Sequence, residues 1–93
     1  MLFNLILRYN LFFMKIEILA FGIAKDIIQN RTLSIELPEG SSVGYLKNEL
    51  TSRFPDFKKL KSLAIAVNEE YQSDEFNLNE KDEVVIIPPV SGG

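Results

Sequence analysis

The order of hydrophobic periodicities constrains this chain most: two segments of strict alternation come first, then one of helical spacing, then shorter apolar runs. From Lys15 to Phe21, KIEILAF sets Ile16, Ile18 and Ala20 on one face and Glu17, Leu19 and Phe21 on the other, the period of a strand. Gly22 interrupts it, and AKDIIQN is expected to be a short polar connection closing a helical turn before Asn30 and Arg31. RTLSIEL then alternates again with Leu33, Ile35 and Leu37 facing inward, a second strand and hairpin partner of the first.

Pro38-Glu39-Gly40 is turn chemistry, and Ser41 or Ser42 is placed to cap a helix by accepting a bond from a free backbone N–H. That helix is predicted to run to Phe54, with Val43, Leu46, Leu50 and Phe54 forming one apolar stripe and Lys47, Asn48 and Glu49 facing water. Pro55 stops it. After a polar, Lys-rich connection, Leu63 to Val67 reads as a short strand, Asn68-Glu69-Glu70 as a turn and Tyr71 as part of a brief edge strand. Asn77 to Lys81 turns the chain before EVVII, a β-branched run expected to be a central strand buried on both faces. Two strands, a helix across them, two short strands and a final central strand make an α+β domain with one sheet and one main helix, an order that resembles the ubiquitin-like β-grasp.

Composition removes most catalytic chemistry. The 93-residue chain has no Cys and no His, which excludes disulfides, thiolate metal sites, thiol nucleophiles and imidazole bases together. With 46% hydrophobic residues it can build a single core unaided. Its net charge of -3 opposes binding to nucleic acid or anionic lipid, so neither is expected as a partner. Without cysteines, a cytoplasmic location is the default expectation.

The first thirteen residues, MLFNLILRYNLFF, are apolar but too short to span a bilayer, which takes about 20 apolar residues, and they contain Arg8. They also lack the basic start and small-residue cleavage site of a signal peptide. Because Met14 begins a self-sufficient pattern, residues 1–13 are read as an extension outside the domain, with an added edge strand or a partner contact as the alternative. The domain is then 14–89 and the tail 90–93.

The ending IIPPVSGG carries the chemical content. Proline cannot donate to a β ladder, so Pro88 and Pro89 should end the sheet and send Val90, Ser91, Gly92 and Gly93 outward in extended form. Four residues at ~3.3 Å each reach ~13 Å, and the last two have no side chain to obstruct a narrow channel. Such a tail can thread into another protein's active site. With Gly at about 7% of residues, two terminal glycines arise by chance about once in 200 chains, before a proline pair upstream is asked for. The plain alternative is a frayed terminus.

Met14 to Gly93 resembles the small, sulfur-carrier subunit of molybdopterin synthase, the MoaD family. Phe21-Gly22 followed by Lys25-Asp26 matches that family's aromatic-small-x-x-basic-acidic segment, and Ala66-Val67-Asn68 its third strand. Leu78, Asp82, Glu83 and Val84 match the lead-in to its last strand, and PPVSGG its ending. Lys81 stands where the family often has Gly, and Ile86-Ile87 replace a pair that is often aromatic, which alters the partner surface.

The resemblance implies that the Gly93 carboxylate is adenylated by an ATP-using, E1-like adenylyltransferase, converted to a thiocarboxylate, and used as the sulfur nucleophile on a cyclic pyranopterin phosphate in molybdenum cofactor biosynthesis. It further implies no bound cofactor or metal, a non-catalytic sulfur-donor role, and a large-subunit partner in a heterotetramer. Tail residues Pro88, Pro89, Val90, Ser91 and Gly92 would thread the reactive end. Phe21 and Ile87 can be core or interface; because Phe21 shares the face of Glu17 rather than that of Ile16 and Ile18, it is expected at the partner interface together with Ile87. The nearest alternatives are a thiamin-type sulfur carrier and a ubiquitin-like modifier of lysines; an inert β-grasp interaction domain is a third. Asp56, Lys58, Lys59 and Lys61 read as a solvated surface or a docking site for the activating enzyme. Glu69, Glu70, Asp74 and Glu75 read as solvent-facing, since they show no ligand spacing.

Overall fold

The computed structural model describes residues 12–89. The elements in chain order are β1 (Phe13–Ala20), α1 (Gly22–Ile28), β2 (Thr32–Pro38), α2 (Val43–Arg53), a 3₁₀ helix (Pro55–Lys59), β3 (Ala64–Val67), β4 (Glu70–Gln72) and β5 (Val84–Ile87). The sheet has five strands in the order β2-β1-β5-β3-β4. β1 and β5 run parallel at its centre, and the other neighbours are antiparallel.

Alternation in β1 does what the sequence demands. Ile16, Ile18 and Ala20 are fully buried, and Ile35 and Leu37 of β2 join them, while Leu33 at the start of that strand is half-buried. From β5 and β3 come Val84, Ile86, Ile65 and Val67, all on the same side. α2 lies across this face, its Val43, Leu46 and Leu50 completing the core. Leu46→Ala or Leu50→Ala would remove that contact at a cost of about 2–5 kcal/mol.

α2 starts where its free N–H groups find acceptors. Ser42 is the cap, its Oγ accepting from the Tyr45 N–H at 3.1 Å. The Val43 and Gly44 N–H groups donate to the carbonyls of Phe76 and Asp74 at 2.8 and 2.9 Å, so the segment before β5 is fastened to the helix start. The turn into α2 is of type II: Ser41 N–H donates to Pro38 O at 3.0 Å, with Gly40 at φ +80°. Lys47 does not extend into water but meets Asp74 at 2.7 Å.

Several elements differ from the sequence expectation. The segment after Phe21 is a helix of seven residues, because Ala24, Ile27 and Ile28 recur at helical spacing and pack on the core. Gly22 at φ +55° turns the chain from β1 straight into it, a backbone that a side chain would strain. β1 spans Phe13–Ala20 rather than Lys15–Phe21: Phe13 pairs with Pro38, and the Glu39 N–H donates to the Phe12 carbonyl. The Lys-rich connection is partly a 3₁₀ helix whose Phe57 is 2% exposed and meets Phe54 edge to face with centroids 6.2 Å apart. Phe54 itself is half-buried just past the helix end. Central β5 is buried on one face only; Val85 and Ile87 are half-buried on the other.

Candidate functional site

Parallel pairing of β1 with β5 brings their C-terminal ends to the same edge of the molecule, Ala20 opposite Ile86. β5 ends at Ile87, and half-buried Pro88 and Pro89 follow outside the ladder. Phe21 keeps extended backbone (φ -132°, ψ 163°), so the alternation of β1 continues through it. Its side chain therefore shares the open face of the sheet with Leu19, and by the same register with Ile87. The two residues assigned to an interface from sequence thus share the end of the sheet where β5 stops. Phe21 is 47% exposed and Ile87 half-buried. Val90, Ser91, Gly92 and Gly93 lie outside the described residues.

The strand registers extend this patch across the sheet. Thr32, Leu19, Val85, Ala66 and Tyr71 form one row from β2 to β4, and Ile87 sits opposite Ala64 one step nearer the tail. Leu19, Val85, Ala64 and Ile87 are half-buried, and Tyr71 is 71% exposed. A contiguous apolar face with an aromatic at each end is uncommon on an isolated domain and marks a surface for a partner. Further from the tail the same face turns polar, with Lys15 opposite Glu36 and Glu17 opposite Ser34. The Ser34 hydroxyl donates to the Glu17 carboxylate there. Tyr71 lies in the brief edge strand expected for it, β4, whereas Val85 was missed as a surface residue because the unbroken run of β5 hides which of its residues face outward.

β5 is held in place by a polar knot at its start. Asn68 and Glu69 form the two-residue turn between β3 and β4 with φ of 52° and 72°, the backbone of a type I′ hairpin. Asn68 then reaches Asp82 and the Glu83 N–H, while Asp82 Oδ2 accepts from the Asn79 N–H at 2.7 Å. Lys81 is accommodated without positive φ, so its turn does not require glycine. On the other flank, Glu80 accepts the Lys15 N–H at 2.9 Å, upstream of where β5 pairs with β1.

The remaining charged residues are dispersed. Asp56, Lys58, Lys59 and Lys61 are exposed, with Lys59 meeting Asp56 at 3.2 Å. Glu69, Glu70, Asp74 and Glu75 are exposed as well. Among the described residues no group of three or more His, Cys, Asp or Glu gathers to hold a metal, and no helix is long and apolar enough to cross a membrane.

The five-stranded mixed sheet with its helices defines the class of the molecule, an α+β domain of the ubiquitin-like β-grasp type. The chain belongs to the ThiS family, whose model matches residues 18–93. It is 35% identical over 80 residues to the molybdopterin synthase sulfur carrier subunit of Arabidopsis thaliana, an alignment covering 85% of this chain and 83% of that protein. Among solved structures it resembles a putative molybdopterin converting factor subunit 1 from Pyrococcus furiosus, with TM-score 0.75 and 30% identity over 83% of this chain and 99% of that one. It also resembles a chain in the complex of subunits 1 and 2 of the molybdopterin-converting factor from Helicobacter pylori, with TM-score 0.58 and 25% identity over 86% of this chain and all (100%) of that one.

Proposed function

We propose that this chain is the sulfur carrier of a molybdopterin synthase and that the C-terminal carboxylate of Gly93 is its working group. The observation that carries the reading is the end of the sheet: the central strand β5 stops at Ile87, on the open apolar face shared with Phe21, and Pro88-Pro89 and then Val90-Ser91-Gly92-Gly93 come next in the sequence. The relatives named as sulfur carrier subunits support it.

A carboxylate is a poor electrophile. Its oxygen attacks the α-phosphorus of ATP in an E1-like activating enzyme, pyrophosphate leaves, and an acyl-adenylate forms on Gly93. A sulfur donor then attacks the acyl carbon and AMP departs, leaving a thiocarboxylate. The large subunit receives the tail, and the thiocarboxylate sulfur bonds to a carbon of the cyclic pyranopterin phosphate as a C–O bond there breaks; water then cleaves the acyl C–S bond, leaving the sulfur on the pterin and releasing the carrier as the carboxylate for another round. With no His and no Cys, this chain supplies the nucleophile and its delivery, while the partner supplies pterin binding and proton transfer. A tail of four residues buries too little area to hold a complex, so the face bearing Phe21, Ile87, Val85 and Leu19 is assigned the docking role. A cytoplasmic location and a heterotetramer with the large subunit belong to the same reading.

The test is a synthase reaction reconstituted from purified parts. Deleting Gly93 shortens the reach by ~3.3 Å and should abolish sulfur transfer while leaving the fold intact. A residue appended after Gly93 puts an amide where activation must occur and should do the same. Full turnover by either variant would refute the proposal.

A further inference from the structure

Arg31, in the connection between α1 and β2, presents a guanidinium 5.8 Å from the centroid of the Phe21 ring. Its backbone is fixed by the sheet, its carbonyl accepting the Ala20 N–H at 2.8 Å, so the stacking is built on the last rung of the β1 and β2 pairing. Arginine over an aromatic face within about 6 Å is attracted to the ring, which also limits the rotamers of both side chains. The other cations with defined partners here spend their charge internally, Lys47 on Asp74 and Lys59 on Asp56. Arg31 has no carboxylate within ion-pair distance among the described residues, and none of its donors meets a protein acceptor there. Among the described residues it is one of several cations without an ion-pair partner, and it stands out by its place against Phe21 at the rim of the apolar face.

We propose that Arg31 is a positioning and recognition residue of the docking face: it holds the Phe21 ring in its docked orientation and takes a carboxylate of the large subunit at the edge of the apolar contact. The inference rests on the reading of this face as the seat of the large subunit. Burial of Phe21 in the complex removes water from around the guanidinium, and a charge desolvated at an interface rim needs a counter-charge. A planar fork of five donors fits a carboxylate in a way that a lysine ammonium does not. The complementary feature on the partner is therefore an Asp or Glu bordering an apolar pocket that accepts an aromatic ring.

Association with the cognate large subunit, measured by calorimetry, tests this with the variants Arg31→Ala, Arg31→Glu, Arg31→Lys, Phe21→Ala and the Phe21→Ala/Arg31→Ala pair. Arg31→Ala is expected to weaken binding about tenfold and Arg31→Glu more, with Arg31→Lys recovering part of the loss. The gap between wild type and Arg31→Ala should narrow as salt is raised. Because Arg31 acts through Phe21, the double variant should bind better than the product of the two single losses. Melting temperatures should stay at the wild-type value, which separates recognition from folding. Binding of Arg31→Ala and Arg31→Glu at wild-type strength would overturn the inference, as would independent losses in the double variant or an effect confined to adenylation by the activating enzyme. Failure of the wild-type chain itself to bind the large subunit would instead sink the reading of the face, and this inference with it.

Discussion

Asn68 Nδ2 donates to Asp82 Oδ1 at 3.0 Å, and its Oδ1 accepts the Glu83 backbone N–H at 2.9 Å, so one side chain ties the β3-β4 turn to the lead-in of β5. Asparagine also suits the left-handed φ of 52° at that position. The strand that precedes the tail in the sequence is thus aligned from the residue before its start by a contact made outside the core.

Asn68→Ala should lose both the hydrogen bonds and the backbone preference, about 1–3 kcal/mol together. Asn68→Gly keeps the backbone and loses only the bonds, so it should fall between Ala and wild type. Thermal melting checks this, since 1 kcal/mol shifts the midpoint by about 4–8 °C for a domain of this size. Equal midpoints for all three chains would mean that the knot contributes nothing.

Phe57 and Phe21 are opposite cases: one aromatic ring is buried, the other exposed. Phe57→Ala should cost about 3–5 kcal/mol in urea unfolding, because the ring, carried by the 3₁₀ helix, joins the core at 2% exposure. Phe21→Ala should change stability by no more than about 0.5 kcal/mol yet weaken association with the large subunit at least tenfold. If Phe21→Ala unfolds the protein, the ring is a core residue and the docking face is wrongly assigned.

These two rings also show where the sequence was readable. The alternation of Ile16, Ile18 and Ala20 and the helical stripe of Val43, Leu46 and Leu50 were legible because each repeats a period, and the Tyr71 edge strand because a turn precedes it. Phe57 was not, because a single apolar residue among lysines has no period to declare it, and its burial follows from how Pro55 redirects the chain beneath α2. α1 looks like a connection in the sequence for a similar reason: Ala24, Ile27 and Ile28 give less than two turns of signal. The outward placement of Val85 and Ile87 could not come from EVVII, where every residue is apolar after the first, and needed the register against Leu19 and Ala64. Phe21 was legible as a surface residue from its parity with Glu17, but its stacking with Arg31 depends on tertiary placement.

The upstream boundary makes a separate prediction. A chain beginning at Phe12 should melt close to the full-length protein if the residues before it are dispensable to the domain. One beginning at Met14 loses the pairing of Phe13 with Pro38 and the acceptor for the Glu39 N–H, a loss of about 1 kcal/mol. Loss of cooperative melting in the chain from Phe12 would show that residues 1–11 are part of the folding unit.

The central claim is that the Gly93 carboxylate becomes a thiocarboxylate, and intact mass spectrometry tests it most directly. The chain is incubated with ATP, its activating enzyme and sulfide, and its mass is compared with that of the untreated protein. The account predicts an increase equal to one sulfur replacing one oxygen, located in the C-terminal peptide, dependent on ATP, and absent from a chain with a residue added after Gly93. An unchanged mass under conditions in which the activating enzyme turns over ATP, or the same increase in the C-terminally blocked chain, would contradict it.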